Sequence, residues 1–189
     1  MKFDPLQHHR RSTRLKDYDY AQEGAYFITL CSYRNQSLFG NISDDGEMLL
    51  NTVGCVAFEE WEHTEAVREN VVLDEFVVMP NHIHGIVIIT DDSARVCQRQ
   101  TPTKSQFGKP IPNALGTIMG QFKGIVTKRV NKLYATDHTI IWHKNYHDHI
   151  IRNEQSLNRI RMYIENNPLR WAADRYNPKN SMLYRTGLP

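Results

Sequence analysis

Three short runs follow one another without a break: Phe76-Val77-Val78-Met79, then Pro80-Asn81, then His82-Ile83-His84-Gly85-Ile86-Val87-Ile88-Ile89. The outer two are apolar and rich in β-branched residues. Between them stand proline, which cannot donate to a β ladder, and asparagine, which suits a turn. The pattern dictates a hairpin, with Val71-Val72-Leu73 extending its first strand on the N-terminal side. On the returning strand His82 and His84 project to one face and Ile83 to the other. Two imidazoles on one face can share a divalent cation. They can equally be two buried or surface histidines, because His-x-His arises readily by chance in a chain with nine histidines, and a second instance, His147-Asp148-His149, is present.

The remaining elements are read around this hairpin. Tyr26-Phe27-Ile28-Thr29-Leu30-Cys31 is an aromatic and β-branched strand. Gly40 to Gly46 carries turn chemistry, and Asn51 caps a helix whose Val53, Val56, Ala57 and Trp61 recur at helical spacing to about Glu69. Asp91 to Pro112, with three prolines and many polar residues, reads as a mobile basic loop, and Asn113 to about Leu133 as a helix. Thr139-Ile140-Ile141-Trp142 is a short extended piece. A final helix starts from the cap Asn153, runs through Leu157, Ile160 and Ile164, and stops at Asn167-Pro168. Strand, helix, two strands, helix, strand, helix is the order of an α+β domain with helices against an antiparallel sheet. At 189 residues one domain is expected, over 25–175, with a basic arm at 1–24 and a tail at 176–189.

Charge is segregated along the chain, although its net value is only +2. Asp44 to Glu75 holds ten acids and one base, whereas Ser93 to Thr136 holds eight bases and no acid. His8 to Lys16 adds a second basic stretch. One positively charged face is the footprint expected of a protein that meets a phosphate backbone, although solvated helix faces produce the same statistics. Cys31, Cys55 and Cys97 form no Cys-x-x-Cys pair, which argues against a disulfide framework or a zinc knuckle and for a reducing, cytoplasmic setting. The longest apolar runs are too short to span a bilayer, so no membrane partner is expected.

In the last helix Tyr163 and Asn167 are four residues apart, on one side and at the edge of the apolar stripe. A tyrosine there can reach the sheet while its helix stays anchored. Most tyrosines at such positions simply pack, and a residue before proline is pushed out of helical geometry. A phosphodiester, for its part, is attacked only when its charge is masked and a nucleophile lies in line.

Met79-Pro80-Asn81-His82-Ile83-His84, then Trp142, Tyr146 and His149-Ile150-Ile151-Arg152, then Tyr163-Ile164 and Asn167-Pro168 together resemble the single-tyrosine transposases of the HUH superfamily. Among these, the REP-associated tyrosine transposase group is the best match, over about Gly24 to Trp171. The resemblance implies a ferredoxin-like α+β fold, with the histidines on a central strand and the tyrosine helix across the sheet. It implies His82, His84 and Asn167 as ligands of Mg²⁺ or Mn²⁺. It also implies Tyr163 as the nucleophile that cleaves single-stranded DNA, leaving a 5′-phosphotyrosine bond and a free 3′-hydroxyl that can reverse the step. The implied partner is hairpin DNA with a flanking single strand, met by a nucleoid-associated monomer or homodimer. Arg10, Arg11 and Arg14 are the candidate contacts in the arm, with Lys123, Lys128, Arg129, Arg152 and Arg170 elsewhere.

Rival readings are a nucleic-acid-binding protein that has lost strand transfer, a metal site built from His143, His147 and His149, and Tyr146 as the nucleophile.

Overall fold

The computed structural model describes residues 18–90, 111 and 113–180. Arg10, Arg11 and Arg14, and all of the 91–112 loop except Ile111, lie outside these residues. A four-stranded antiparallel sheet is formed by β1 (Gly24–Cys31), β4 (Val71–Val78), β5 (His82–Ile89) and β6 (His147–Ile151), in the order β4-β5-β1-β6. Helix α1 (Thr52–Ala66) joins β1 to β4, and α2 (Leu115–Leu133) joins β5 to β6. Two split β-α-β units interleaved in this way make the ferredoxin-like α+β fold. A small hairpin, β2 (Gly40–Ile42) with β3 (Met48–Leu50), fills the span read as a turn. Helix α3 (Glu154–Glu165) follows β6 and continues into a 3-10 turn, Pro168–Ala173.

The sheet has a core on each face. Tyr26, Ile28, Leu30, Ile83, Val87 and Ile89 turn toward α1 and α2, where Trp61, Ile118, Phe122 and Val126 complete the larger core. A Cβ at Gly85 would run into the Trp61 indole, so the glycine lets α1 approach the sheet closely. Phe27, Ile86, Ile88 and Val77 turn the other way and are covered by Leu157, Ile160 and Ile164 of α3. His82 and His84 belong to this second face, as their strand parity requires.

Local signals place most ends of these elements. Asn51 caps α1 by accepting from Gly54 N at 3.0 Å, and Asn153 caps α3 by accepting from Ser156 N at 2.8 Å. Helix α1 stops at Ala66, short of Glu69, and the Arg68 guanidinium donates to the Thr64 carbonyl at 2.9 Å, satisfying one of its terminal acceptors. Helix α2 begins at Leu115 rather than Asn113, whose φ of 61° is left-handed.

The last strand departs from the sequence reading. Residues 139–142 contribute only a bridge from Trp142 to Ser32, and the ladder against β1 is made by His147–Ile151. This is an edge strand with exposed His147 and His149, so its apolar alternation is too weak to register locally. A register shift between Leu73 and Phe76 is the other irregularity, a bulge that takes up Asp74-Glu75 and returns Phe76 to the Trp61 side, with the rings 5.8 Å apart. Tyr18 and Tyr20, read as part of the arm, pack on Tyr26, with Tyr20 buried in the core.

Candidate active site

His82 and His84 are buried side by side, their ring centroids 4.5 Å apart. Each ring is held through Nδ1. For His84 the partner is the Thr29 hydroxyl at 2.9 Å, on the neighbouring strand where Thr29 and His84 pair directly. For His82 it is Asn81 Oδ1 at 2.8 Å. The Asn81 amide cannot be turned over, because its Nδ2 donates to the carbonyls of Asn35 at 3.0 Å and Tyr176 at 2.6 Å. Oδ1 therefore accepts, Nδ1 of His82 carries the proton, and Nε2 is a bare lone pair. That Nε2 is buried and has no hydrogen-bond partner.

Helix α3 brings the tyrosine. The Tyr163 hydroxyl lies 3.2 Å from Nε2 of His84, and Phe27 packs against both rings, at 5.2 Å from His84 and 6.0 Å from Tyr163. A bidentate ion pair fixes the helix to the bulge of β4: Arg161 Nε and Nη2 reach Asp74 Oδ1 and Oδ2 at 2.8 and 2.5 Å. These hydrogen bonds hold the Asp74 carboxyl below the usual carboxylate range. Tyr163 itself is 38% exposed.

Asn167 keeps right-handed helical backbone angles, φ −63° and ψ −43°, in spite of the proline that follows. The displacement expected of a pre-proline residue does not occur, because the chain runs directly into the 3-10 turn and Asn167 N bonds to the Ile164 carbonyl at 3.1 Å. Its side chain is buried, and Oδ1 is a second acceptor without a partner. Buried acceptors without a partner, on His82 and Asn167, and the imidazole of His84 are donor types that suit a divalent cation.

Burial and the field of Arg175 hold both imidazoles neutral. The pKa of His84 is pushed down to about 3 and that of His82 well below its ordinary value, with burial the larger cause and, for His82, repulsion from His84 next. Neutral imidazole is the form that ligates metal. Burial raises the Tyr163 phenol above its ordinary value, against a hydrogen bond from Asn167 and the charge of Arg175.

Of the segment after α3, the sequence points to Asn167 and Arg170 but not to Trp171 or Tyr176. Tyr176 places its ring 4.7 Å from that of His82 and 6.2 Å from that of His84, and Trp171 stands 6.1 Å from His82. The Pro168-Leu169-Arg170-Trp171 run carries no regular period that would have announced it.

The candidate cations are dispersed. Arg170 and Arg152 are exposed, on the 3-10 turn and before α3. Lys123, Lys128 and Arg129 ride on α2, on the opposite face of the sheet from the histidine pair. Arg129 pairs with Glu59 and Glu60, and Lys123 donates to the carbonyls of His143 and Lys144. His147 and His149 share the face of His84 but are exposed, and among the described residues no group of three or more His, Cys, Asp or Glu could hold a metal ion.

A protein of Haemophilus influenzae described only as uncharacterized is 38% identical over 175 residues, which cover 92% of this chain and 96% of that protein. The chain belongs to its family. No family model matches. Among solved structures, a REP-associated tyrosine transposase bound to a REP hairpin superposes with a TM-score of 0.53, covering 84% of this chain and 74% of that one. At 17% identity this likeness is one of fold. No helix among the described residues is long and apolar enough to cross a membrane.

Proposed function

We propose that this protein is a metal-dependent endonuclease and strand transferase for single-stranded DNA, acting at hairpin DNA through a covalent 5′-phosphotyrosine bond. The observation that carries the reading is the Tyr163 hydroxyl, half-exposed and 3.2 Å from His84 Nε2, beside a His82 Nε2 that has no partner. The fold shared with a transposase bound to a REP hairpin supports the same substrate class.

His82, His84 and Asn167 would hold Mg²⁺ or Mn²⁺. When bound, the ion supplies Lewis acidity that masks phosphate charge and orients the scissile group. The protein's own residues do the rest. Asn81 and Thr29 fix the ring orientations, Phe27 holds His84 and Tyr163 in register, and the Asp74–Arg161 pair anchors α3. The Tyr163 oxygen attacks phosphorus as the bond from phosphorus to the 3′ oxygen breaks. In net terms the phenolic proton ends on that oxygen, giving a 5′-phosphotyrosine and a 3′-hydroxyl. Attack by a 3′-hydroxyl on the phosphotyrosine reverses the step and rejoins DNA. The protein would work at the nucleoid, with Arg10, Arg11 and Arg14 gripping the DNA beside the hairpin.

The test is covalent trapping. Wild-type protein mixed with single-stranded hairpin DNA and Mn²⁺ should give an adduct on denaturing gels that is absent with chelator and in Tyr163→Phe. No adduct with any hairpin would leave a nucleic-acid-binding protein without strand transfer. An adduct that survives in Tyr163→Phe and is lost in Tyr146→Phe would move the nucleophile.

A further inference from the structure

Arg175 is held on Tyr176, a residue whose ring borders the histidine pair. Its guanidinium lies 4.8 Å from the centroid of the Tyr176 ring and donates from Nη2 to the Tyr176 hydroxyl at 2.9 Å. That ring has its centroid 4.7 Å from that of His82, the two planes inclined at 41°. The arrangement is braced from below, since the Tyr176 carbonyl accepts from the same Asn81 amide that orients His82. One side chain thus sets the tautomer of a candidate metal ligand and the position of the residue that carries the guanidinium. Arg175 is exposed, and among the described residues no carboxylate lies within ion-pair distance of it. Arg161, on α3, is by contrast committed to Asp74.

We infer that Arg175 is a catalytic residue of this site, its guanidinium carried on the Tyr176 ring to grip the non-bridging oxygens of the DNA phosphodiester presented to Tyr163. The inference rests on the reading of the site as a tyrosine endonuclease. Its chemistry is general: a planar fork of N–H donors matches a phosphate bidentately, and the charge that grows on those oxygens during attack is stabilised most by a cation already in place. Tyr176 gives the guanidinium a fixed platform.

The experiment compares wild type, Arg175→Ala, Arg175→Lys and Tyr176→Phe in single-turnover adduct formation with Mn²⁺ and hairpin DNA. It separates the rate at saturating DNA from the DNA concentration at half-saturation. Arg175→Ala should lower the saturating rate by about 100-fold, with lysine recovering only part because it lacks the fork. The decisive arm uses DNA with a neutral methylphosphonate at the cleavage point. With no phosphate charge to meet, the deficit of Arg175→Ala should shrink by about tenfold or more, while Tyr163→Phe stays inactive. Equal rates in wild type and Arg175→Ala on ordinary DNA overturn the inference and leave the tyrosine reading standing. So does a loss confined to half-saturation, with the salt slope reduced by about one, which marks an ordinary backbone contact. Failure of wild type to form any adduct overturns both.

Discussion

The hydroxyl of Tyr163 sits 3.2 Å from Nε2 of His84, across 79 positions of sequence. His84 Nδ1 is held at Thr29, so the ring cannot swing away, and the tyrosine meets a nitrogen whose orientation is set by the neighbouring strand. His82 beside it offers a buried Nε2 that meets no donor. On the proposed reading, the candidate metal ligands thus lie beside the candidate nucleophile.

His82→Ala should abolish tight Mn²⁺ binding, and Asn167→Ala should weaken it, whereas His147→Ala leaves it unchanged because His147 is an exposed edge-strand residue. Metal titration of the three variants checks this. Loss of binding in His147→Ala with retention in His82→Ala would place the metal at the other histidine cluster.

Asn81 orients His82 and is not itself one of the proposed ligands. Removing an outer partner of a ligating histidine costs about 10- to 100-fold in metal affinity. Asn81→Ala should show that loss, and it should also loosen Tyr176, whose carbonyl accepts from the same amide. The readouts are Mn²⁺ affinity and protease sensitivity near Tyr176. Unchanged affinity would mean that the tautomer is fixed by something else.

Asp74 acts on Tyr163 through Arg161, two residues earlier on the helix. Asp74→Asn should slow adduct formation by about 10- to 100-fold through misplacement of the tyrosine, with metal content unchanged. Combining it with Arg161→Ala should add little, since the two residues form one unit. Additive losses would show that they act separately.

The buried imidazoles make the metal-free protein sensitive to acid. Unfolded histidine titrates near 6.5, whereas His84 in the folded chain titrates at about 3. Between those values the unfolded chain binds a proton that the folded one refuses. Stability is therefore fully present above about pH 6.5 and is lost as pH falls toward 3. His82 contributes in the same direction. The slope should approach but not exceed about 1.4 kcal/mol per pH unit for each histidine. Denaturant unfolding with chelator, from about pH 7 to about pH 4.5, measures it, and His84→Gln should flatten it. A flat wild-type profile would contradict the neutral, buried pair.

The hairpin of β4 and β5, the caps Asn51 and Asn153, the apolar stripe of α3 and the shared face of His82 and His84 were all legible in the sequence. Each depends on spacings of two, three or four residues, which fix a face or a cap before any distant contact forms. Other features needed the closed chain. Strand β6 is a polar edge strand that exists because β1 offers it a ladder. The bare Nε2 of His82 follows from Asn81 bonding to Asn35 and Tyr176, 46 and 95 positions away. Asn167 keeps helical angles before a proline, and Tyr176 and Trp171 flank the histidines from a segment whose sequence has no period. Periodicity can place two histidines on one face of a strand. Only the tertiary hydrogen bonds decide which nitrogen of each is left open.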